Sequence, residues 1–139
     1  MPNIQQIQDQ IIDEFNFFED WSEKYQYLID LGKNLPEFKE SNRIDSNLIK
    51  GCQSKVWLHA ELSDGKINFL ADSEAIITKG IISILLNVFN NRTPDEILSS
   101  NMDFIEKIGL KEHLSPNRAN GLSSMYKQIK FYAIAFSKT

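Results

Sequence analysis

The chain holds 139 residues, with 15 basic and 19 acidic side chains for a net charge of −4, two His and a single Cys. Apolar residues make up 42% and charged residues 24%, which excludes intrinsic disorder and suits one domain with its own core. One Cys excludes an intrachain disulfide and a four-thiolate metal or cluster site, and points to a reducing, cytoplasmic setting.

The opening MPNIQQIQDQ has neither a basic start nor an apolar run, so no secretory signal is expected. The longest apolar stretch, Ala75 to Phe89, is interrupted by Thr78, Lys79, Gly80, Ser83 and Asn87 and is too short to cross a bilayer. An isoelectric point near 5.2 without a Lys/Arg cluster argues against nucleic acid. Protein or small-molecule partners remain, with no membrane or nucleic-acid partner expected.

Ile4, Ile7, Ile11, Ile12, Phe15 and Phe18 recur at three- and four-residue steps and predict a first amphipathic helix. Trp21, Tyr25, Leu28 and Leu31 continue that spacing to Gly32, read as a C-cap, so two short helices or one bent helix lead the chain. Lys33 to Asn47, with Pro36 and the polar Ser41-Asn42-Arg43, reads as a surface loop. Val56, Leu58, Ala60 and Leu62 then alternate with polar residues, Asp64-Gly65 marks a tight turn, and Ile67, Phe69 and Ala71 alternate on the return. That is an antiparallel hairpin.

Asp72 or Ser73 is positioned to cap a buried central helix running through Ile76, Ile81, Leu85 and Phe89, and Gly80 within it predicts a close backbone approach. Thr93-Pro94-Asp95-Glu96 forms a capping box for a short helix. Ser115-Pro116 starts a last amphipathic helix through Leu122, Met125, Tyr126, Ile129, Ala133 and Phe136. The expectation is one α+β domain over residues 1–139, a small antiparallel β-sheet packed against helices from both chain ends.

The one nucleophile in a loaded context is Cys52, within Asn47 to Trp57. Gly51 frees the backbone before it, Lys50 and Lys55 sit close enough in sequence to favour thiolate, and Gln53 and Ser54 can donate to an anionic sulfur. If strand alternation extends back, Cys52 shares the parity of Val56 and Leu58 and points to the apolar side. The plain alternative is a small buried hydrophobe. His59 reads as a solvent-facing strand residue and His113 as a loop or helix-end contact. Cysteine-peptidase context is absent, which argues against a Cys–His hydrolase, and two widely separated His without clustered carboxylates make a poor metal site. Asp72, Ser73 and Glu74 read as helix caps, and Arg118 as a solvated helix residue or a charge that meets an acidic partner. The glycines are dispersed, so no phosphate loop is present.

Three separated blocks carry more. Gly51-Cys52-Gln53-Ser54-Lys55-Val56-Trp57, then Asp72 to Gly80, then His113-Leu114-Ser115-Pro116-Asn117-Arg118 with Gly121-Leu122 closely resemble the SufE family of sulfur-acceptor proteins, whose patterns read GCQSxVW, DSDAxIVKG and HLSPSRxxGL. Trp21-Ser22-Glu23-Lys24-Tyr25, Gly32 and Gly109-Leu110 extend the likeness over nearly the whole chain. Glu74, Thr78, Asn117 and Ala119 depart from the commonest residues.

The resemblance implies a fold related to iron-sulfur scaffold proteins and a partner role for a SufS-like cysteine desulfurase, which carries the pyridoxal phosphate. Cys52 takes the persulfide sulfur on a mobile loop, and the downstream Suf scaffold complex receives it for iron-sulfur cluster assembly in the cytoplasm. Gly51, Gln53, Ser54, Glu74 and Arg118 are then partner-binding residues. The chain needs no cofactor or metal of its own, has no independent turnover, and is a monomer or weak dimer. Scaffolding is rejected, because one Cys cannot ligate a cluster. Two alternatives stand: an acceptor for a related desulfurase that feeds pathways such as tRNA modification, and a non-catalytic desulfurase-binding module that docks through the Trp57 and Phe69 region.

Overall fold

The computed structural model describes residues 2–138. Helices α1 (Ile4–Phe17) and α2 (Trp21–Lys33) open the chain. They are separate because each has its own start: Asn3 and Gln6 form a reciprocal capping box, and the Asp20 side chain accepts from Glu23 N–H at 2.9 Å. A strap with two 3₁₀ turns (Glu40–Asn42 and Asp45–Asn47) leads to the hairpin β1 (Val56–Ser63) and β2 (Lys66–Ser73). The central α3 (Ile76–Phe89) and the short α4 (Pro94–Leu98), α5 (Asp103–Lys107) and α6 (Leu110–His113) follow, and α7 (Pro116–Ser137) closes the chain.

The sheet has two antiparallel strands, in register from Val56↔Ser73 to Ser63↔Lys66. Asp64 and Gly65 turn it with φ of 52° and 77°, the paired positive values that an Asp-Gly loop supplies. Val56, Leu58, Ile67, Phe69 and Ala71 form the inner face, each at most 2% exposed. Against it lie α3, with Ile81, Ile82, Leu85, Val88 and Phe89 at 0–1% exposure, and α7, with Leu122, Met125, Ile129 and Ala133 buried. Each fully buried aliphatic or Phe side chain contributes about 1.5–3 kcal/mol, so this layer is the main source of stability. The α+β arrangement of a two-stranded sheet with helices from both chain ends is therefore as expected. Among the described residues no helix is long and apolar enough to cross a membrane.

The predicted close approach at Gly80 is the crossing of α2 and α3. A Cβ at Gly80 would run into the Leu28 carbonyl, and one at Gly32 would lie 2.9 Å from Gly80 N. Gly32 is therefore a packing residue and not the C-cap: α2 continues to Lys33 and ends at Asn34. Nor do Asp72 and Ser73 cap α3. Strand β2 runs through Ser73, and α3 starts from Ala75 without a side-chain cap. The capping box at Thr93 and the Ser115 cap are both present. Helices α5 and α6 have five and four residues, too few to show a period, yet they bury Phe104, Ile105 and Leu110.

Gly80→Ala is expected to lower the unfolding free energy by about 3 kcal/mol, because two backbones must separate to admit one methyl. Urea unfolding monitored by circular dichroism measures it, and a loss below about 1 kcal/mol would contradict the crossing as described.

Candidate functional site

Residues 48–55 form a loop stitched at both ends. At its start Leu48 bridges to Trp57, and Ile49 N–H donates to Val56 C=O at 2.9 Å. At its end Lys55 C=O accepts from Glu74 N–H at 3.2 Å and from Ser73 Oγ at 2.9 Å, while Lys55 N–H donates to Glu74 Oε1 at 3.3 Å. The chain reverses at Gly51, where φ is +92° and a Cβ would lie 2.5 Å from Ser124 Oγ on α7, so glycine alone fits. Asn117 Nδ2 donates to Gln53 Oε1 at 2.7 Å and ties the tip to the first turn of α7.

Cys52 lies at this tip, half-buried, with Sγ 3.8 Å from the Gly121 carbonyl. It does not continue the strand parity, since β1 begins four residues later. Its shelter comes from α7. Sγ faces a cavity of about 240 Å³ whose walls are Cys52, Gln53 and Ser54 from the loop, Ala75 and Thr78 from α3, and Ser115, Asn117, Arg118 and Gly121 from α7. The missing side chain at Gly121, where a Cβ would sit 3.6 Å from Sγ, leaves room beside the sulfur. A larger cleft of about 380 Å³ between α1, α2 and α3, where Tyr27 donates to Glu14 and burial pushes the Tyr27 hydroxyl up, shares no residue with it.

Burial pushes the Cys52 thiol above its ordinary value. Lys50 and Lys55 are exposed, and burial rather than their charge sets the direction, so the expectation that they favour thiolate is corrected. Positive potential comes instead from helix starts. Ala75 and Thr78 belong to the beginning of α3, and Ser115, Asn117 and Arg118 to the beginning of α7, so two N-termini converge on the cavity.

Of the site residues singled out in the sequence, Cys52, Gln53, Ser54 and Arg118 share the cavity, and Gly51 shapes the turn behind it. Glu74 lies outside, exposed, and holds the loop backbone rather than capping a helix. His59 faces outward, with Nε2 3.0 Å from Glu61 Oε1. The His113 ring stacks on Trp21 with centroids 3.9 Å apart, and Tyr25 donates to the His113 carbonyl, so the Trp21–Tyr25 segment and the His113 block meet and brace the corner before α7. A docking surface on Trp57 and Phe69 is ruled out as drawn: Phe69 is 1% exposed, and Trp57 lies beneath Arg43.

Arg43 and Asp72 were missed. The Arg43 guanidinium lies 5.0 Å from the Trp57 ring centre and 5.4 Å from that of Phe38. It pairs with Asp72 and, at 3.1 Å, with Glu40. Lys79 Nζ lies 3.2 Å from the second Asp72 oxygen, which is off the axis for a hydrogen bond. Burial alone pushes the Asp72 carboxyl up, but hydrogen bonds from Arg43 and the Ser73 backbone together with Lys79 outweigh it and hold the carboxyl below its ordinary value. Nothing in the polar run around Arg43 signals this, and Asp72 before a helix looks like any cap. Among the described residues no group of three His, Cys, Asp or Glu side chains is placed to hold a metal.

Fold and site together define an α+β domain that presents one sheltered thiol on a loop held between two helix starts. The SufE pattern, the Fe-S metabolism associated domain, matches residues 9–133. An uncharacterized SufE-like protein of Rhizobium meliloti is 46% identical over 127 residues, covering 88% of this chain and 91% of the relative. One from Synechocystis is 38% identical over 126 residues, covering 91% and 79%. The chain belongs to the SufE family. The solution structure of a hypothetical protein from Thermus thermophilus has the same fold, with a TM-score of 0.79 at 18% identity over 96% of this chain and 97% of that one.

Asp72→Asn is expected to cost about 2 kcal/mol at pH 7 by leaving Arg43 under-paired. Because the folded carboxyl titrates below its unfolded value of about 3.9, the contribution is complete above that pH and is lost as pH falls through the folded value. Urea unfolding at pH 7 and pH 3 should thus show the gap between wild type and variant narrowing in acid. A gap independent of pH would contradict the ion pair.

Proposed function

We propose that this chain accepts sulfur as a persulfide on Cys52 from a SufS-like cysteine desulfurase, relieves that enzyme of its product sulfur, and hands the sulfur to the Suf scaffold complex for iron-sulfur cluster assembly in the cytoplasm. The observation that carries the reading is the placement of the chain's single thiol: half-buried, on a short loop, beside a cavity with room for more than a thiol.

The chemistry balances without an added oxidant. The Cys52 thiolate attacks the terminal sulfur of the desulfurase persulfide, the S–S bond within that persulfide breaks, and the desulfurase cysteine leaves as thiolate while Cys52 carries the transferred sulfur. Burial keeps the resting thiol protonated and unreactive toward casual electrophiles. Moving the loop tip out of its cavity removes the desolvation that raises the thiol, so ionisation and access arrive together on docking. The Asn117–Gln53 hydrogen bond holds the loop tip in its resting form at its exposed rim, where a partner can replace it.

Cys52→Ser separates this reading from a binding module. The variant is expected to bind the desulfurase with near wild-type affinity and to abolish the stimulation of cysteine turnover, while a module would keep both. In wild type, a bulky maleimide should label Cys52 slowly and accelerate at least tenfold when desulfurase is added. Equal labelling rates would contradict the loop movement.

A further inference from the structure

Thr78 stands in the first turn of α3, is 8% exposed, and lines the same cavity as Cys52 and Gly121. Its hydroxyl forms no hydrogen bond with any described residue. The hydroxyl oxygen is not among the fully buried polar atoms that lack a partner, so it stays accessible at the cavity wall, and a methyl group would fill the same space without offering a donor. The rest of the wall has the same character. Helix α3 begins without a side-chain cap, so its first-turn amides stay open beside Thr78. Arg118 and the start of α7 face them from the other side, and no carboxylate lines the cavity. These surroundings hold donors for an anion, whereas a resting Cys52 thiol is neutral.

This step rests on the reading of Cys52 as sulfur acceptor. We propose that the Thr78 hydroxyl donates a hydrogen bond to the terminal sulfur of a Cys52 persulfide and holds it as the anion inside the cavity. The added sulfur extends from Sγ into space that Gly121 leaves open, and the two helix starts favour its negative charge. The anion is a poor target for nucleophiles, so the stored sulfur is kept from stray thiols until the loop leaves the cavity. Of the charged residues near the loop, Lys50, Lys55 and Glu74 are exposed and lie outside the cavity, and only Arg118 lines it.

The test loads Cys52 without any desulfurase, using inorganic polysulfide. The thiolate attacks the terminal sulfur of the polysulfide, the S–S bond beside that sulfur breaks, and the shortened polysulfide anion leaves. Alkylation of the loaded protein by iodoacetamide is then followed by intact mass across pH, and loss of the added sulfur to cyanide is timed at pH 7. Thr78→Val is expected to raise the pH midpoint of alkylation by about one unit and to speed the loss about tenfold, the effect of one charge-assisted hydrogen bond. Thr78→Ser should restore both, and the melting temperature of Thr78→Val should not fall, because the wild-type hydroxyl has no partner to lose. Thr78→Ala supplies a second hydroxyl-free variant if Val does not fold. Equal midpoints and equal loss rates in folded wild type and hydroxyl-free variants overturn the proposal. A chain that takes no sulfur from a desulfurase but shows the Thr78 effect after polysulfide loading overturns the acceptor reading and supports this one.

Discussion

The Asp72 carboxylate joins parts of the chain that otherwise have little in common. It pairs across the hairpin with Trp57 on the face opposite the core, binds Arg43 on the strap, and draws Lys79 on α3 toward it. The strap must cross the hairpin before it turns into the Cys52 loop, and Arg43, packed between Phe38 and Trp57, fixes where that crossing falls. With the strap pinned, Leu48 can pair with Trp57, and the eight residues from 48 to 55 have both ends defined. The loop is short and tethered, so Cys52 has one resting position rather than many. Dispersion and hydrophobic burial stabilise the α3 layer, but the position of the thiol depends on this single partly buried charge cluster.

On the proposed reading the chain meets two opposed demands, and this geometry suits their separation in time. A thiol that is always ionised and exposed loses its cargo or oxidises. Here burial raises the resting thiol, while the cavity beside it is lined by two helix starts, Arg118 and an unpartnered hydroxyl. Such surroundings penalise charge on the bare sulfur through desolvation and favour it on an extended sulfur that reaches the donors. The tethers at the tip are few hydrogen bonds at the exposed rim, whereas those at the base are a strand bridge and the hydrogen bonds of Lys55 with Ser73 and Glu74. The tip can therefore move while the base stays.

Much of this was legible in the sequence because it is local. Period two over residues 56–71, the Asp64-Gly65 turn, and the caps at Thr93 and Ser115 need only neighbours in the chain, and all are present. The Gly80 approach was legible as well, since glycine in a helix interior is costly unless a second backbone occupies the space. What escaped depends on contacts between distant segments. Gly32 looked like a helix end because its partner, Gly80, lies 48 positions away in sequence. Asp72 looked like a cap because the strand continues past it and its partner Arg43 sits in a polar run with no period. The lysines beside Cys52 suggested a charge effect that their exposure removes, whereas the helix starts that surround the sulfur come from residues 75 and 115. Cys52 itself was identified from its own block, but its cavity was not.

The central claim is that Cys52 receives sulfur from a cysteine desulfurase. The measurement that tests it most directly is intact-protein mass spectrometry under non-reducing conditions, after incubation with an active SufS-like desulfurase and free cysteine, with the Cys52→Ser chain in parallel. The account predicts that the wild type alone gains the mass of one sulfur atom and loses it again on reduction. No gain in a wild-type chain that still binds the active desulfurase would contradict it.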